Sequence, residues 1–399
     1  MTAPTAPTAS KNVFTMTPAQ QVAYFSTPPA SGFLPVNENL LARQILLGTS
    51  IPMTIHKGKY GPYNMGQNNI QIDLDRIGAF QSVLLKVTAS VDNSGSAAAT
   101  ASTFGPSTLL KRVMYKDFQS VERVNQIGYQ LWQKNTERQG RFFGLANANP
   151  FAPSPDVGNV DTNIVAVPTA VGTFEMSFFL VVPMAVLPNI DTTGMVLAQS
   201  TEGQHSLIFD IAANAVGTDP LQAPYTAGTV AISDIYIDVY ENVLNLQNGA
   251  IPWNDVNTIY ALEGNLTIND NLVAGAIKDI NWPNRRKVIA QSVIVNQGAT
   301  GGEPNGTDIG RITFQLNSSL SILDYHPSAL RLLQRDSLNG DLPSGCYILS
   351  RRANPVNTQQ YGQARTRLLM NTVGAGTYLM VGYETQYAAG IALPGVPQG

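Results

Sequence analysis

At 399 residues the chain is too long for one compact domain of about 150 residues, so two large domains or three small ones are expected. Charged residues make up 13% of it and hydrophobic residues 44%, which excludes a disordered chain and suits surfaces held in contacts, where unpaired charge is costly to desolvate. The net charge of -3, from 24 basic and 27 acidic residues, lacks the basic excess that gripping a phosphate backbone requires, so no direct nucleic-acid binding is expected.

Met1 to Ser10 (MTAPTAPTAS) reads as an extended tail, with neither the basic start nor the apolar centre of a secretion signal. Order is predicted to begin at Thr17-Pro18-Ala19-Gln20, where Thr17 suits a helix N-cap, Pro18 the first turn, and Gln20 the reciprocal bond of a capping box. That helix would carry Val22, Ala23, Tyr24 and Phe25 and stop before Pro28; a second would run from Asn39 to Leu47 with Leu40, Leu41, Ile45 and Leu47 mostly on one side. Read plainly, the two form a packed N-terminal arm. The sharper reading is an arm that docks on a neighbouring subunit or a lipid surface through Gln20, Val22, Tyr24, Phe25, Leu40, Leu41, Arg43 and Ile45. Such short helices bury little alone, so residues up to Leu47 are expected to gain order mainly on assembly.

From Ile70 the period changes to two. Ile70, Ile72 and Leu74 alternate with polar neighbours, as do Val83 to Val91, Phe174 to Leu180, Ile235 to Val239 and Ile312 to Leu316, and Tyr378 to Tyr383 is a further extended run. Between these half-buried strands lie Gly, Pro, Asn and Ser clusters at Asp92 to Ala97, Ala148 to Gly158 and Gly298 to Gly306. Helices are few: Gln130 to Arg138, Asp255 to Leu262 and Pro327 to Arg335. Strand and helix do not alternate regularly, so the fold class is all-β, with two β-sandwich or jelly-roll domains in tandem behind a short helical arm. Strand periodicity lapses after Glu241. The predicted division is therefore 1–48 tail and arm, 49–241 first jelly roll, 242–254 linker and 255–399 second jelly roll. The longest apolar stretch, Phe178 to Leu187, is about half a membrane span and is broken by Pro183.

Chemistry is sparse. His56, His205 and His326 share no short motif, and no GxSxG elbow is present, so each histidine reads as structural. The lone Cys346 excludes an intrachain disulfide and a multi-cysteine zinc site, and points to a reducing compartment. Glu175 and Glu384 are the glutamates in strand-like runs that a glycosidase would have to use, yet neither has a tryptophan nearby in sequence. No catalytic residue, cofactor or metal site is expected, and the chain is read as not an enzyme. The alternative is a β-sandwich carbohydrate-binding or glycoside-cleaving phage receptor-binding protein.

Several fragments resemble, in order, the double jelly-roll major capsid proteins of tectivirus-type bacteriophages, which are icosahedral and enclose a membrane and double-stranded DNA. They are Thr17 to Gln21 (TPAQQ), Asn39 to Ile45 (NLLARQI), Leu85 to Ala89 (LKVTA), Phe104 to Tyr115 (FGPSTLLKRVMY), Thr193 to Ala198 (TGMVLA), Thr258 to Glu263 (TIYALE), Gln360 to Gly362 and Gly382 to Glu384. The resemblance implies a homotrimer whose six rolls tile an icosahedral shell as a pseudo-hexameric capsomer. Its partners would be neighbouring capsomers, penton and minor capsid proteins, and an internal lipid membrane near the arm. The protein would be made and assembled in the host cytoplasm and reside in the virion capsid.

Overall fold

The structure is a computed structural model that describes residues 12–139, 167–246, 250–296 and 309–388, apart from 188–189, 199–202, 269–271, 318–319, 339–341, 343–344, 353 and 375. The Thr-Ala-Pro tail and the clusters at Ala148 to Gly158 and Gly298 to Gly306 lie outside the described residues.

The arm contains α1 (Pro18–Phe25) and α2 (Val36–Thr49). The capping box forms as the residue pattern requires: the Gln20 amide donates to Thr17 Oγ1 at 3.4 Å, and the Thr17 amide donates to Gln20 Oε1 at 3.0 Å. α2 begins three residues before the expected Asn39, with Pro35 at its N-cap and the Asn39 amide donating to the Pro35 carbonyl at 2.9 Å.

Sixteen longer strands follow among the described residues, with two- and three-residue strands between them. They are β1 (Ile51–Tyr63), β2 (Ile70–Asp73), β3 (Ala79–Asn93), β4 (Leu110–Lys116), β5 (Glu122–Gln126), β6 (Gly172–Pro183), β7 (Ser206–Ile211), β8 (Val230–Asn245), β9 (Thr258–Ile268), β10 (Ile277–Asn281), β11 (Lys287–Asn296), β12 (Ile309–Leu316), β13 (Leu320–Tyr325), β14 (Cys346–Ser350), β15 (Ala364–Met370) and β16 (Tyr378–Ala388). The remaining α-helices among the described residues are α3 (Gly128–Gln139), α4 (Trp253–Val256) and α5 (Pro327–Leu338). Strand β8 continues past Glu241 to Asn245.

One sheet has the order β1-β8-β3-β6, another β10-β15-β12-β13, and a long one runs β14-β11-β16-β9-β5-β4-β7-β2. Adding eight to each strand number of the first half reproduces the second half. β1-β8-β3-β6 becomes β9-β16-β11-β14, and β2-β7-β4-β5 becomes β10-β15-β12-β13. Each half is therefore one jelly roll, and helices α3 and α5 occupy the same connection in each. The long sheet is continuous because β5 of the first roll lies parallel to β9 of the second, at Val124 and Leu262. The pairings between these named strands within each roll are antiparallel.

The alternation read from the sequence places the cores. Leu85, Val87, Phe178, Ile237 and Val239 fill the first, and Val293, Ile312, Phe314, Leu368 and Val381 the second. The first core also reaches across the junction to Tyr260, Leu262 and Ile294 of the second roll. Strand β11 is consequently buried on both faces, which is why it reads as a near-continuous apolar run.

One expected helix is corrected. Asp255 to Leu262 is helical only through Val256; from Thr258 the chain is β9, where Ile259, Tyr260 and Leu262 are buried. β-branched and aromatic residues fit a sheet held between two cores better than a helix surface.

Candidate functional site at the roll junction and arm

The arm folds back on its own chain rather than awaiting a partner. Phe25 is fully buried, and its carbonyl accepts from Trp253 Nε1 at 3.0 Å. Asn254 pairs with the backbone of Leu34 as a strand would: Leu34 N donates to Oδ1 at 2.8 Å, and Nδ2 donates to the Leu34 carbonyl at 3.1 Å. Asn257 Nδ2 donates to the carbonyl of Gly32, a residue with φ of 74°.

The centre of this docking is Asp255 on α4. Arg43 grips it bidentately, Nε to Oδ2 and a terminal nitrogen to Oδ1, both at 2.7 Å, while Asn39 Nδ2 and Thr192 Oγ1 donate at 3.2 and 2.6 Å. Arg43 also meets Asp191 at 3.1 Å. Desolvation opposes the guanidinium charge, but hydrogen bonding and charge from Asp255, with Asp191 behind it, outweigh it and raise the Arg43 pKa. The loop that carries Thr192 is held against β9 by Gly194, which has φ of 94°; a Cβ there would stand 2.3 Å from Tyr260 Cβ.

The eight arm residues singled out from the sequence divide accordingly. Arg43 belongs to the clasp, Phe25 is core, and Gln20 is the exposed partner of the helix cap. Val22, Leu41 and Ile45 are half-buried. Tyr24 and Leu40 remain 40% and 47% exposed, and Tyr24 donates to Glu38 Oε2 at 3.1 Å. Sequence reading missed Asn39 of the arm as a docking residue, and Trp253, Asn254 and Asp255 as the surface that receives it. The run Trp253-Asn254-Asp255, polar residues beside a tryptophan where strand periodicity lapses, was the available signal.

A second polar joint lies deeper between the rolls. Glu384 of β16, fully buried, accepts from Tyr260 at 2.9 Å, from Lys134 of α3 at 3.4 Å and from Arg352 at 3.0 Å. Glu137 also meets Lys134, at 2.8 Å. Burial alone would raise the Glu137 pKa, but the charges of Lys134 and Arg352 override it and hold the carboxyl down at about 2. A third joint is Asp219, which accepts from Tyr378 at 2.7 Å and Asn296 at 2.8 Å. These contacts, with the shared sheet, lock the two rolls together.

The two glutamates that a glycosidase would have to use lie in different surroundings. Glu175 is exposed on β6, beside an open hollow of about 350 Å³ lined by Lys59, Asp234 and Tyr236, whereas Glu384 is saturated inside the junction. His205 is buried against Phe118, with its ring nitrogens at Tyr115 Oη and the Asp75 carbonyl, and burial lowers its pKa. A cleft of about 760 Å³ between the rolls is lined by Lys111, Arg112, Asp210, Leu221, Thr267, Tyr378 and other residues, and its Asp210 is paired with Arg112 at 2.8 Å. Among the described residues no three His, Cys, Asp or Glu side chains are grouped to hold a metal ion.

Comparison with known proteins agrees with this architecture. The family model described as P3 major capsid protein N-terminal matches residues 11–245, and that described as P3 major capsid protein C-terminal matches residues 257–391. The chain is 28% identical over 391 residues to the major capsid protein P3 of Enterobacteria phage PRD1, covering 92% of this chain and 94% of the relative. In fold it is similar to the crystal structure of the STIV MCP, with TM-score 0.62 at 13% identity, covering 86% of this chain and 97% of that one. The PBCV-1 virus capsid gives TM-score 0.53 at 12% identity, covering 85% and 94%.

Proposed function

The chain belongs to the P3 major capsid protein family and is a structural component of a virion capsid, and from that premise we propose that its working unit is a homotrimer presenting six rolls as a pseudo-hexameric capsomer. The observation that carries this reading is the eight-strand sheet order repeated within one chain and fused by the β5–β9 junction. A chain so built offers two similar blocks at a set angle, and three copies joined head to tail can close a ring of six. Its low charge suits subunits that bury most of their flanks against one another. The division into tail and arm (1–48), first roll (49–241), linker (242–254) and second roll (255–399) is the working one, and non-enzymatic scaffolding is the whole role.

The capsomers would meet one another, penton and minor capsid proteins, and an internal lipid membrane beside the arm, in shells assembled in the host cytoplasm. Arg43 is engaged by Asp255, so the arm's contact with lipid would rest on its exposed apolar side chains: Phe14, Phe33, Val36 and Leu40 are 43–71% exposed. Native mass measurement should return three chains of 42.8 kDa, and electron microscopy should show particles of hexagonal outline. A monomeric protein would refute the capsomer reading. Deleting residues 1–38 should leave trimers but impair vesicle-filled shells; normal shells from the truncated chain would remove the arm from assembly.

A further inference from the structure

The cleft between the rolls owes its shape to two interruptions in the sheets around it. β5 lies beside β9 at Val124 and Leu262 and stops at Gln126, whereas β9 breaks register between Glu263 and Leu266, at Gly264 with φ of 96°, and runs on to Ile268. On the facing wall β4 breaks register between Leu110 and Arg112, which pair with Ile211 and Asp210, so Lys111 is the extra residue of the bulge. A bulge re-aims a side chain that regular pairing would fix. Here Lys111 and Arg112 both reach the cleft.

The charges of the walls do not cancel. Arg112 is engaged, with Nε at 2.8 Å from Asp210 Oδ2 and a terminal nitrogen donating to Asn69 Oδ1 at 2.7 Å. Lys111 is exposed and has no acidic partner among the described residues. Around it the surface is largely apolar: Leu221 and Met380 are buried, and Leu272 and Val373 are half-buried. Polar side chains of the second-roll wall bond within the protein. Tyr378 donates to Asp219 at 2.7 Å and accepts from Asn296 at 2.6 Å, and Thr267 donates to Met380 Sδ at 3.0 Å. These bonds hold the wall in place before any ligand arrives.

One unpaired cation beside an apolar surface narrows the ligand. A divalent cation needs carboxylates, and the Asp210 carboxylate is already paired. A phosphate is best held by several charged or backbone donors, and here a single lysine stands free. A sugar needs free polar groups, whereas Tyr378 and Thr267 are already bonded inward. What remains is a molecule with one negative charge at one end and an apolar body.

We propose that the cleft binds a single-chain amphiphile with a carboxylate head, of the fatty-acid class, with the head at Lys111 and the chain laid along Leu221, Leu272 and Met380. Its volume of about 760 Å³ falls in the range of about 300–1,000 Å³ usual for small-molecule sites, which favour the boundaries between domains. Lys111 and Leu221 belong to the first roll, and Leu272 and Met380 to the second, so a bound chain ties the two together beyond the end of their shared ladder. Binding to the folded form alone then stabilises it by mass action. β9 runs about 30 Å from Thr258, next to the arm's dock, to the cleft, which places the cleft at the end of the rolls far from the arm. With the arm set against an internal membrane, as proposed above, that end faces outward; the binding itself does not depend on that placement.

Decanoate, kept below its micelle concentration, should bind the full-length protein at one saturable site per chain in calorimetric titration and raise its melting temperature. Decyltrimethylammonium, the same tail under a cationic head, should bind about tenfold more weakly or worse. Lys111 is exposed, so Lys111→Glu should leave the melting temperature of the free protein unchanged while weakening decanoate by about tenfold or more, and Lys111→Arg should keep the parent's affinity. Place is read independently from isotope-labelled methionine methyl groups: the Met380 signal, identified by its loss in Met380→Leu, should shift with decanoate and saturate at the calorimetric concentration. No saturable binding, equal binding of the two heads, indifference to Lys111→Glu, or an unmoved Met380 signal would each overturn the site. None of these outcomes bears on the trimer, which the native mass decides.

Discussion

Two buried glutamates, one on the last strand of each roll, meet opposite fates. Glu384 on β16 sits in the junction with a tyrosine and two cations on it. Glu241 on β8 is equally hidden, at 0% exposure, yet receives only the Asp75 amide at 3.0 Å, and its second oxygen has no protein donor. Desolvation is the main cause that lifts its pKa to about 7; the nearby Asp75 charge adds to the rise, while the Asp75 amide and Lys57 offset part of it. The difference lies in what packs on each strand. The first roll lends α3 to the second, so Glu384 has a cation delivered from another layer. Lys57, the cation nearest Glu241, is paired with Asp75.

Breaking the compensated site should have the largest effect. Lys134→Ala leaves Glu384 and Glu137 to share Arg352 and should cost about 3–5 kcal/mol, read from chemical denaturation. Lys134→Met combined with Glu384→Leu should recover most of that loss, because removing both charges leaves Arg352 with Glu137 and no charge stranded. No recovery would mean that the ion pair itself, rather than the avoidance of a lone charge, holds the junction.

Asp255 extends the comparison to a carboxylate that joins the arm rather than a roll. Asp255→Ala should cost about 2–3 kcal/mol, less than the junction, because Arg43 keeps Asp191 and some solvent. It should also raise hydrogen exchange across α1 and α2 while leaving β3 and β11 protected. Unchanged exchange in the arm would show that Trp253 and Asn254 suffice to hold it.

The smallest effect is expected at Glu241 and depends on pH. Its folded pKa of about 7 stands above the ordinary 4.5, so the carboxyl costs nothing below pH 4.5, and stability falls as pH rises towards 7. Glu241→Gln should leave Tm unchanged at pH 4 and raise it by about 2 °C at pH 8. An equal shift at both values would assign the effect to packing instead.

Much of this molecule is written in local pattern. The Thr17–Gln20 cap, the alternation of Ile70 to Leu74 and Val83 to Val91, and the helices on either side of Gln130 and Leu330 depend on neighbours within a turn or a strand pair, and the residues spell them out. What stayed hidden depended on distant partners. Thr258 to Leu262 looked helical because its burial between two cores is not a local property, and nothing near Asp255 in sequence marks it as the partner of Arg43, 212 residues away. Glu384 could be marked as a strand carboxylate, but not as the acceptor of Lys134, 250 residues earlier. By itself, then, the sequence determined the strands, the arm helices and two β-sandwiches of low charge, because hydrophobic period and capping act at short range. Only the tertiary structure decided which faces are covered within the chain and which stay exposed, because burial is a property of the layer that lies opposite.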